Sequence, residues 1–187
     1  RRVLFRSTVS TYPIKENDLH SGPPTPTNFS YGYAKRSLAV QIDSYNKQYG
    51  TKYQYLIPCN LYGLGDKDHE SNSHFITALV KKIYEANLKG ENHINLFGDG
   101  TPLRQFMYAE DFAKIIVETI NNNIYENFNV ATPENLSIKQ MAEIALNVCN
   151  STHLNIIWDT SKPNGQYRKD VSLEKLKSIF PDFNPLH

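Results

Sequence analysis

Between residues 31 and 49, Tyr31, Ala34, Leu38, Ala39, Ile42, Tyr45 and Tyr49 recur at the three-and-four spacing of one helical face. Gly50 follows as a stop signal. Upstream, residues 12–29 hold Pro13, Gly22, Pro23, Pro24 and Pro26, which predicts a long ordered loop. Downstream, residues 53–58 read as a buried strand and 60–72 as a polar, glycine-containing loop. A helix is predicted over 73–86, with Ile76, Leu79, Val80 and Ile83 on one face. A strand over 93–97, a turn over 98–102 and a strand over 104–108 come next. Then follow a helix over 110–121, a strand over 126–131, a helix over 137–150, a strand over 154–159 and a helix over 172–180. Ser137 and Gln140 form a capping box at the start of one helix.

Strands alternating with helices imply an α/β architecture with a largely parallel sheet. Ligands bind such sheets at the carboxyl ends of the strands. Chemistry is therefore sought in the loops after Pro58, Phe97 and Asp159.

Composition narrows the classes further. The chain has 187 residues, 40% of them hydrophobic and 12% aromatic, enough for a packed core. The formal net charge is +1 and the basic residues are scattered, so there is no electrostatic footprint for nucleic acid or for a membrane surface. Two cysteines, Cys59 and Cys149, make neither a disulfide framework nor a metal quartet, and no metal site is expected. No apolar run reaches spanning length and no signal-peptide pattern opens the chain, which points to a cytoplasmic protein.

Tyr31 and Lys35 lie one helical turn apart on one face. A lysine ammonium beside a phenol favours the phenolate, so such a tyrosine can exchange a proton with a hydroxyl or carbonyl while a cofactor exchanges a hydride. The spacing alone does not establish this, since a packed tyrosine beside a solvated lysine is the ordinary case. Tyr45 and Tyr49 read as packing residues, and Tyr33 projects away from Tyr31.

The surrounding stretch "YPIKENDLHSGPPTPTNFSYGYAKRS" resembles the extended short-chain dehydrogenase/reductase superfamily, and within it the GDP-L-fucose synthase family. The likeness continues through "LIPCNLYG", "ESNSHFITALVKK", "FGDGTPLRQFMYAEDFAK" and "WDTSKPNGQYRK". It implies a Rossmann-like, doubly wound parallel sheet with a smaller α/β substrate-binding domain. It also implies an NADP(H)-dependent epimerase-reductase acting on a GDP-linked sugar nucleotide, assembled as a homodimer. Residues 1–62 would then be part of the Rossmann-like domain, 63–105 a substrate-domain segment, 106–131 a return to the sheet, and 132–187 the substrate-binding domain.

The resemblance also implies residue roles. Tyr31 and Lys35 match two members of the catalytic triad, and Ser7, Thr8 and Ser10 lie near the position of its hydroxyl member. His74 matches an epimerisation acid/base, a role suited to a side chain that titrates near neutrality. Lys35, Pro58, Cys59, Asn60, Leu61 and His74 match cofactor-binding positions. Asn60, Lys82, Phe97, Arg104, Asn164 and Lys169 match positions that contact the sugar nucleotide. A guanidinium such as Arg104 suits a diphosphate, though an ion pair with Asp99 or Glu110 is its plainer use. His69 and His93 read as surface histidines.

Three departures qualify this picture. The family's Ser-x-Cys run is absent near residues 7–10, and with it the second epimerisation acid/base. Cys59 stands at a threonine position and does not replace that thiol. No Gly-x-Gly-x-x-Gly turn exists to bind a pyrophosphate: Gly63-Leu-Gly65 has Asp68 in place of the third glycine, and Gly98-Asp-Gly100 also fails. The chain therefore reads as the carboxyl-terminal part of such an enzyme, expected to be inactive alone; the alternatives are another NAD(P)-dependent sugar-nucleotide epimerase/dehydratase, or a non-catalytic Rossmann-like binding protein that keeps the fold without the missing cysteine and glycines.

Overall fold

A computed structural model describes residues 11–66 and 74–185. Two short 3₁₀ turns, Glu16–His20 and Pro26–Asn28, precede helix α1 (Phe29–Tyr49). Strands β1 (Leu56–Pro58) and β2 (Asn60–Tyr62), helix α2 (Phe75–Lys89) and strands β3 (His93–Phe97), β4 (Leu103–Arg104) and β5 (Phe106–Tyr108) follow. The remainder is α3 (Ala109–Asn121), β6 (Phe128–Val130), β7 (Leu136–Ser137), α4 (Ile138–Val148), β8 (Asn155–Asp159) and α5 (Glu174–Ile179). The chain divides into two compact units, one of Arg1–Leu61, Gln105–Glu134 and Lys169–His187, the other of Tyr62–Arg104 and Asn135–Arg168.

In the first unit β1 and β6 pair in parallel, with Leu56 opposite Phe128 and Pro58 opposite Val130. All three residues of β6 are buried, as expected for a parallel strand covered on both faces. Ile57, Phe128 and Val130 pack with Ile14, Met107, Ile115 and Leu176. Burying a side chain such as Phe128 contributes roughly 1.5–3 kcal/mol. Asn129, in the middle of β6, is buried with its amide nitrogen used: Nδ2 donates to the carbonyls of Ile14 (3.1 Å) and Ser172 (3.2 Å). Its backbone N–H donates to Glu16 Oε1 at 2.8 Å.

The expected domain over 132–187 divides here. Ile14 bridges Val171 in parallel, the Ile14 N–H bonds the Asp170 carbonyl and the Ser172 N–H bonds the Ile14 carbonyl. These bonds bring residues from Lys169 onward into the first unit, whereas Asn135–Arg168 lie in the second.

The second unit is built on β3 and β8, paired in parallel along all five residues from His93–Asn155 to Phe97–Asp159. Helices α2 and α4 supply Leu79, Ile83, Ala142 and Leu146 to a core completed by Ile94, Leu96 and Leu154. Gly90 ends α2 at φ 65°, a left-handed cap that glycine adopts without strain. Ser137 starts α4 with the predicted capping box: Ser137 Oγ accepts from the Gln140 N–H, and Gln140 Oε1 accepts from the Ser137 N–H. Strand β7 pairs antiparallel with β4.

Four details differ from the pattern reading. The strand over 53–58 shrinks to three residues because side-chain amides take its early N–H groups: Asn46 Oδ1 accepts from Tyr53, and Asn127 Oδ1 from Tyr55. The loop over 60–72 opens with β2, which pairs with β5. The strand over 104–108 breaks at buried Gln105, whose side chain donates to the Thr132 carbonyl (3.0 Å) and accepts from the Val171 N–H (2.9 Å). The predicted apolar stripe of α1 is exposed at Leu38, Tyr45 and Tyr49, and of its residues Ala39 alone joins Gly32 and Arg36 on the buried face. No described helix is long and apolar enough to cross a membrane.

Candidate active site

In the first unit, the proline loop presses on the amino-terminal half of α1. A Cβ added at Gly32 would stand 2.6 Å from Pro24 Cβ, so only glycine permits the approach. One turn on, Arg36 Nη1 donates to the Gly22 carbonyl at 2.7 Å. The loop thus seats the helix turn that carries Tyr31 and Lys35, both half-buried. Lys35 Nζ stands 5.7 Å from the Tyr31 ring centroid, within the range of cation–π attraction. Tyr33 turns away and meets Phe29 edge-on, with centroids 4.8 Å apart.

Pro58, Cys59, Asn60 and Leu61 occupy the end of β1 and the start of β2. Asn60 Nδ2 donates to the Gln105 carbonyl at 2.9 Å, which orients its amide. Cys59 is buried, its N–H bonded to the Val130 carbonyl, and burial pushes its thiol up to about 12. Its sulfur is therefore a core group, and no acid/base near neutral pH. Lys169 is half-buried and belongs to this unit.

In the second unit, His74 stands at the N-cap position of α2. Its Nδ1 lies 2.8 Å and 3.0 Å from the two oxygens of Asp66, and Thr77 Oγ1 donates to Asp66 Oδ2 at 2.8 Å. Lys82 Nζ donates to the Asn95 carbonyl at 2.6 Å and stands 5.3 Å from the Phe97 centroid. Phe97 is 65% exposed, so its ring is a surface feature and not core. Arg104 Nη1 donates to the carbonyls of Leu103 (2.6 Å) and Tyr167 (3.4 Å), along the loop that holds Asn164.

Asn164 Oδ1 accepts from the Asp99 N–H at 2.8 Å. Bonds from Thr101 and Asn164 hold the Asp99 carboxyl below the usual carboxylate range, and Ser161 does the same for Asp159. The turns after β3 and β8 are thus fixed by their own aspartates. Gly98 and Gly100 lie in the first of them: a Cβ at Gly100 would meet the Trp158 ring at 2.6 Å. Their role is close packing and not a nucleotide turn.

The predicted residues therefore fall into two sets, Tyr31, Lys35, Pro58, Cys59, Asn60, Leu61 and Lys169 in one unit and His74, Lys82, Phe97, Arg104 and Asn164 in the other. Ser7, Thr8, Ser10 and His69 lie outside the described residues. Pattern reading missed Asp66 and Thr77. Thr77 follows His74 at a spacing that places both at the start of α2, but Asp66 meets them only through a turn that periodicity does not show. Among the described residues no three His, Cys, Asp or Glu side chains gather as a metal site.

The chain is 41% identical over 184 residues to a GDP-L-fucose synthase of Dictyostelium discoideum, covering 95% of this chain and 56% of that one. It is 33% identical over 194 aligned residues to a GDP-L-fucose synthase of Escherichia coli, covering 95% and 60%. A crystal structure of a GDP-L-fucose synthetase from Naegleria fowleri bound to NADP superposes with a TM-score of 0.89 at 33% identity, over 99% of this chain and 59% of that one. The chain thus spans a little over half the length of the relatives it matches. The fold is part of the Rossmann-like α/β fold, with parallel strand pairs in both units. Residues 1–131 match the family model described as NAD dependent epimerase/dehydratase, and with the Tyr31–Lys35 helix inside that match, the chain belongs to this family.

Proposed function

We propose that this chain supplies the proton-transfer and substrate-binding half of a cytoplasmic, NADP-dependent epimerase-reductase that converts GDP-4-keto-6-deoxymannose to GDP-L-fucose. The observation that carries the reading is that Tyr31, Lys35 and His74 all stand within a chain 41% identical to a GDP-L-fucose synthase. The donor set fits one end of the cofactor: a phenol and an ammonium one turn apart suit a nicotinamide ribose and a substrate oxygen. When bound, NADPH supplies the hydride for the C4 ketone.

The protein's own groups do the rest. Protons on C3 and C5 are labile because the carbanion left behind is an enolate of the C4 ketone, and His74 moves one of them. Tyr31 delivers a proton to the C4 oxygen, while Lys35 holds the phenol and the ribose. Phe97 and Lys82 offer an aromatic face and a cation for the nucleotide, and Arg104 a guanidinium for its diphosphate. Neither cysteine is the second acid/base: Cys59 is buried with a thiol near 12, and Cys149 packs against the apolar core of the second unit. A homodimer through α1 belongs to the same proposal, supported by the exposed Leu38, Tyr45 and Tyr49 on that helix.

The test joins the amino-terminal part of the Dictyostelium relative to this chain and assays the chimera with NADPH. GDP-4-keto-6-deoxymannose should be turned over and UDP-galactose should not. Tyr31→Phe should lower kcat by about 10²–10⁴-fold. Conversion of UDP-galactose, or full activity of the Tyr31→Phe chimera, would refute the reading.

A further inference from the structure

We propose that Asp66 is the positioning residue for His74, holding the ring through Nδ1–H so that Nε2 is the nitrogen that exchanges protons with substrate. The inference rests on the proposed acid/base role of His74 and goes beyond it by assigning the working nitrogen and the group that selects it.

The argument begins with the start of α2. The N-cap position ordinarily carries a Ser, Thr, Asp or Asn whose oxygen accepts from an early helix amide. Here it carries His74, and the histidine side chain caps no helix N–H. The ring is turned instead to Asp66, with Nδ1 at 2.8 Å and 3.0 Å from the two carboxylate oxygens. An ionised carboxylate only accepts, so Nδ1 must carry the proton. In the neutral ring Nε2 is then the lone-pair nitrogen.

Asp66 is itself held in place. Thr77, three residues into the helix, stands where a reciprocal cap would supply Glu or Gln. Its hydroxyl donates to Asp66 Oδ2 at 2.8 Å. The aspartate enters from a turn in which its N–H bonds the Gly63 carbonyl at 3.3 Å, with Gly65 at φ +75°. A Cβ at Gly65 would meet nothing within 4 Å, so glycine is needed there for its backbone angle alone. The carboxylate is 15% exposed and the ring 38%, so the pair is shielded on the aspartate side while the histidine remains reachable. A helix start is thus arranged to orient an imidazole, with the ordinary side-chain cap given up.

Two measurements test this. Nitrogen-15 spectra of the labelled 187-residue chain, at a pH where the ring is neutral, should show His74 protonated on Nδ1. In Asp66→Ala the proton should move to Nε2, whereas Asp66→Asn, whose amide oxygen still accepts, should keep it on Nδ1. A ring protonated on Nε2 in the unaltered chain, or an unchanged tautomer in Asp66→Ala, overturns the proposal; should Asp66→Ala not fold, the unaltered chain and Asp66→Asn decide. In the chimera described above, solvent deuterium entering C3 and C5 reports proton exchange apart from reduction. Asp66→Ala should slow it at least about tenfold, and exchange at the unaltered rate counts against the proposal. His74→Gln separates the two levels: full exchange in that variant removes the acid/base reading itself, whatever the tautomer spectra show.

Discussion

Cys59 and Asp99 are shifted in opposite directions, and each has a measurable consequence. Burial pushes the Cys59 thiol up to about 12, well above an unfolded cysteine near 8.5. A raised folded value stabilises fully below the unfolded pKa, and that stability is lost as pH rises from about 8.5 towards 12. Cys59 should therefore resist iodoacetamide at pH 8 in the folded chain and react at once in denaturant; mass spectrometry of the alkylated peptides checks this. Asp99 is depressed by bonds from Thr101 and Asn164. A depressed folded value stabilises above the unfolded pKa, and that contribution disappears as pH falls through the folded one. Carbon-detected titration should place Asp99 below free aspartate, and Asn164→Ala should raise it towards the ordinary value. An unchanged Asp99 in that variant would mean that Asn164 does not hold the turn.

Helix α1 shows how an element is adapted to its neighbours. Its apolar stripe was visible in the sequence, yet the face buried against the first unit is the one carrying Gly32, Arg36 and Ala39. Small residues there let the Pro24 loop approach, and exposed tyrosines occupy the opposite side. Gly32→Ala sets two effects against each other. Helix propensity would gain up to about 1 kcal/mol. Forcing a methyl against a rigid proline ring costs roughly 1–3 kcal/mol. The net effect should be a loss of about 1 kcal/mol in urea denaturation. Pro24→Gly in the same chain should recover part of it, since both the Cβ and the Cγ that the new methyl meets would be gone.

At the scale of the whole molecule, two separate cores each serve one set of candidate residues. One centres on β1 and β6 and the other on β3 and β8. The 187 residues contain no glycine-rich dinucleotide turn. This chain alone should therefore bind NADP(H) poorly and show no NADPH oxidation with GDP-4-keto-6-deoxymannose; measurable turnover would overturn that prediction. The α/β class, the order of the elements and the Tyr31–Lys35 spacing were set by the sequence, because hydrophobic period, capping and turn residues act over a few positions along the chain. The Ser137 capping box is one such local device. Other features depended on contacts across long separations. Gln105 ties Thr132 and Val171 together, residues 169 onward return to pair beside Ile14, and Asp66 reaches His74 around a turn. Buried polar groups must find partners wherever the folded chain brings them, so those pairings were decided only by the tertiary structure.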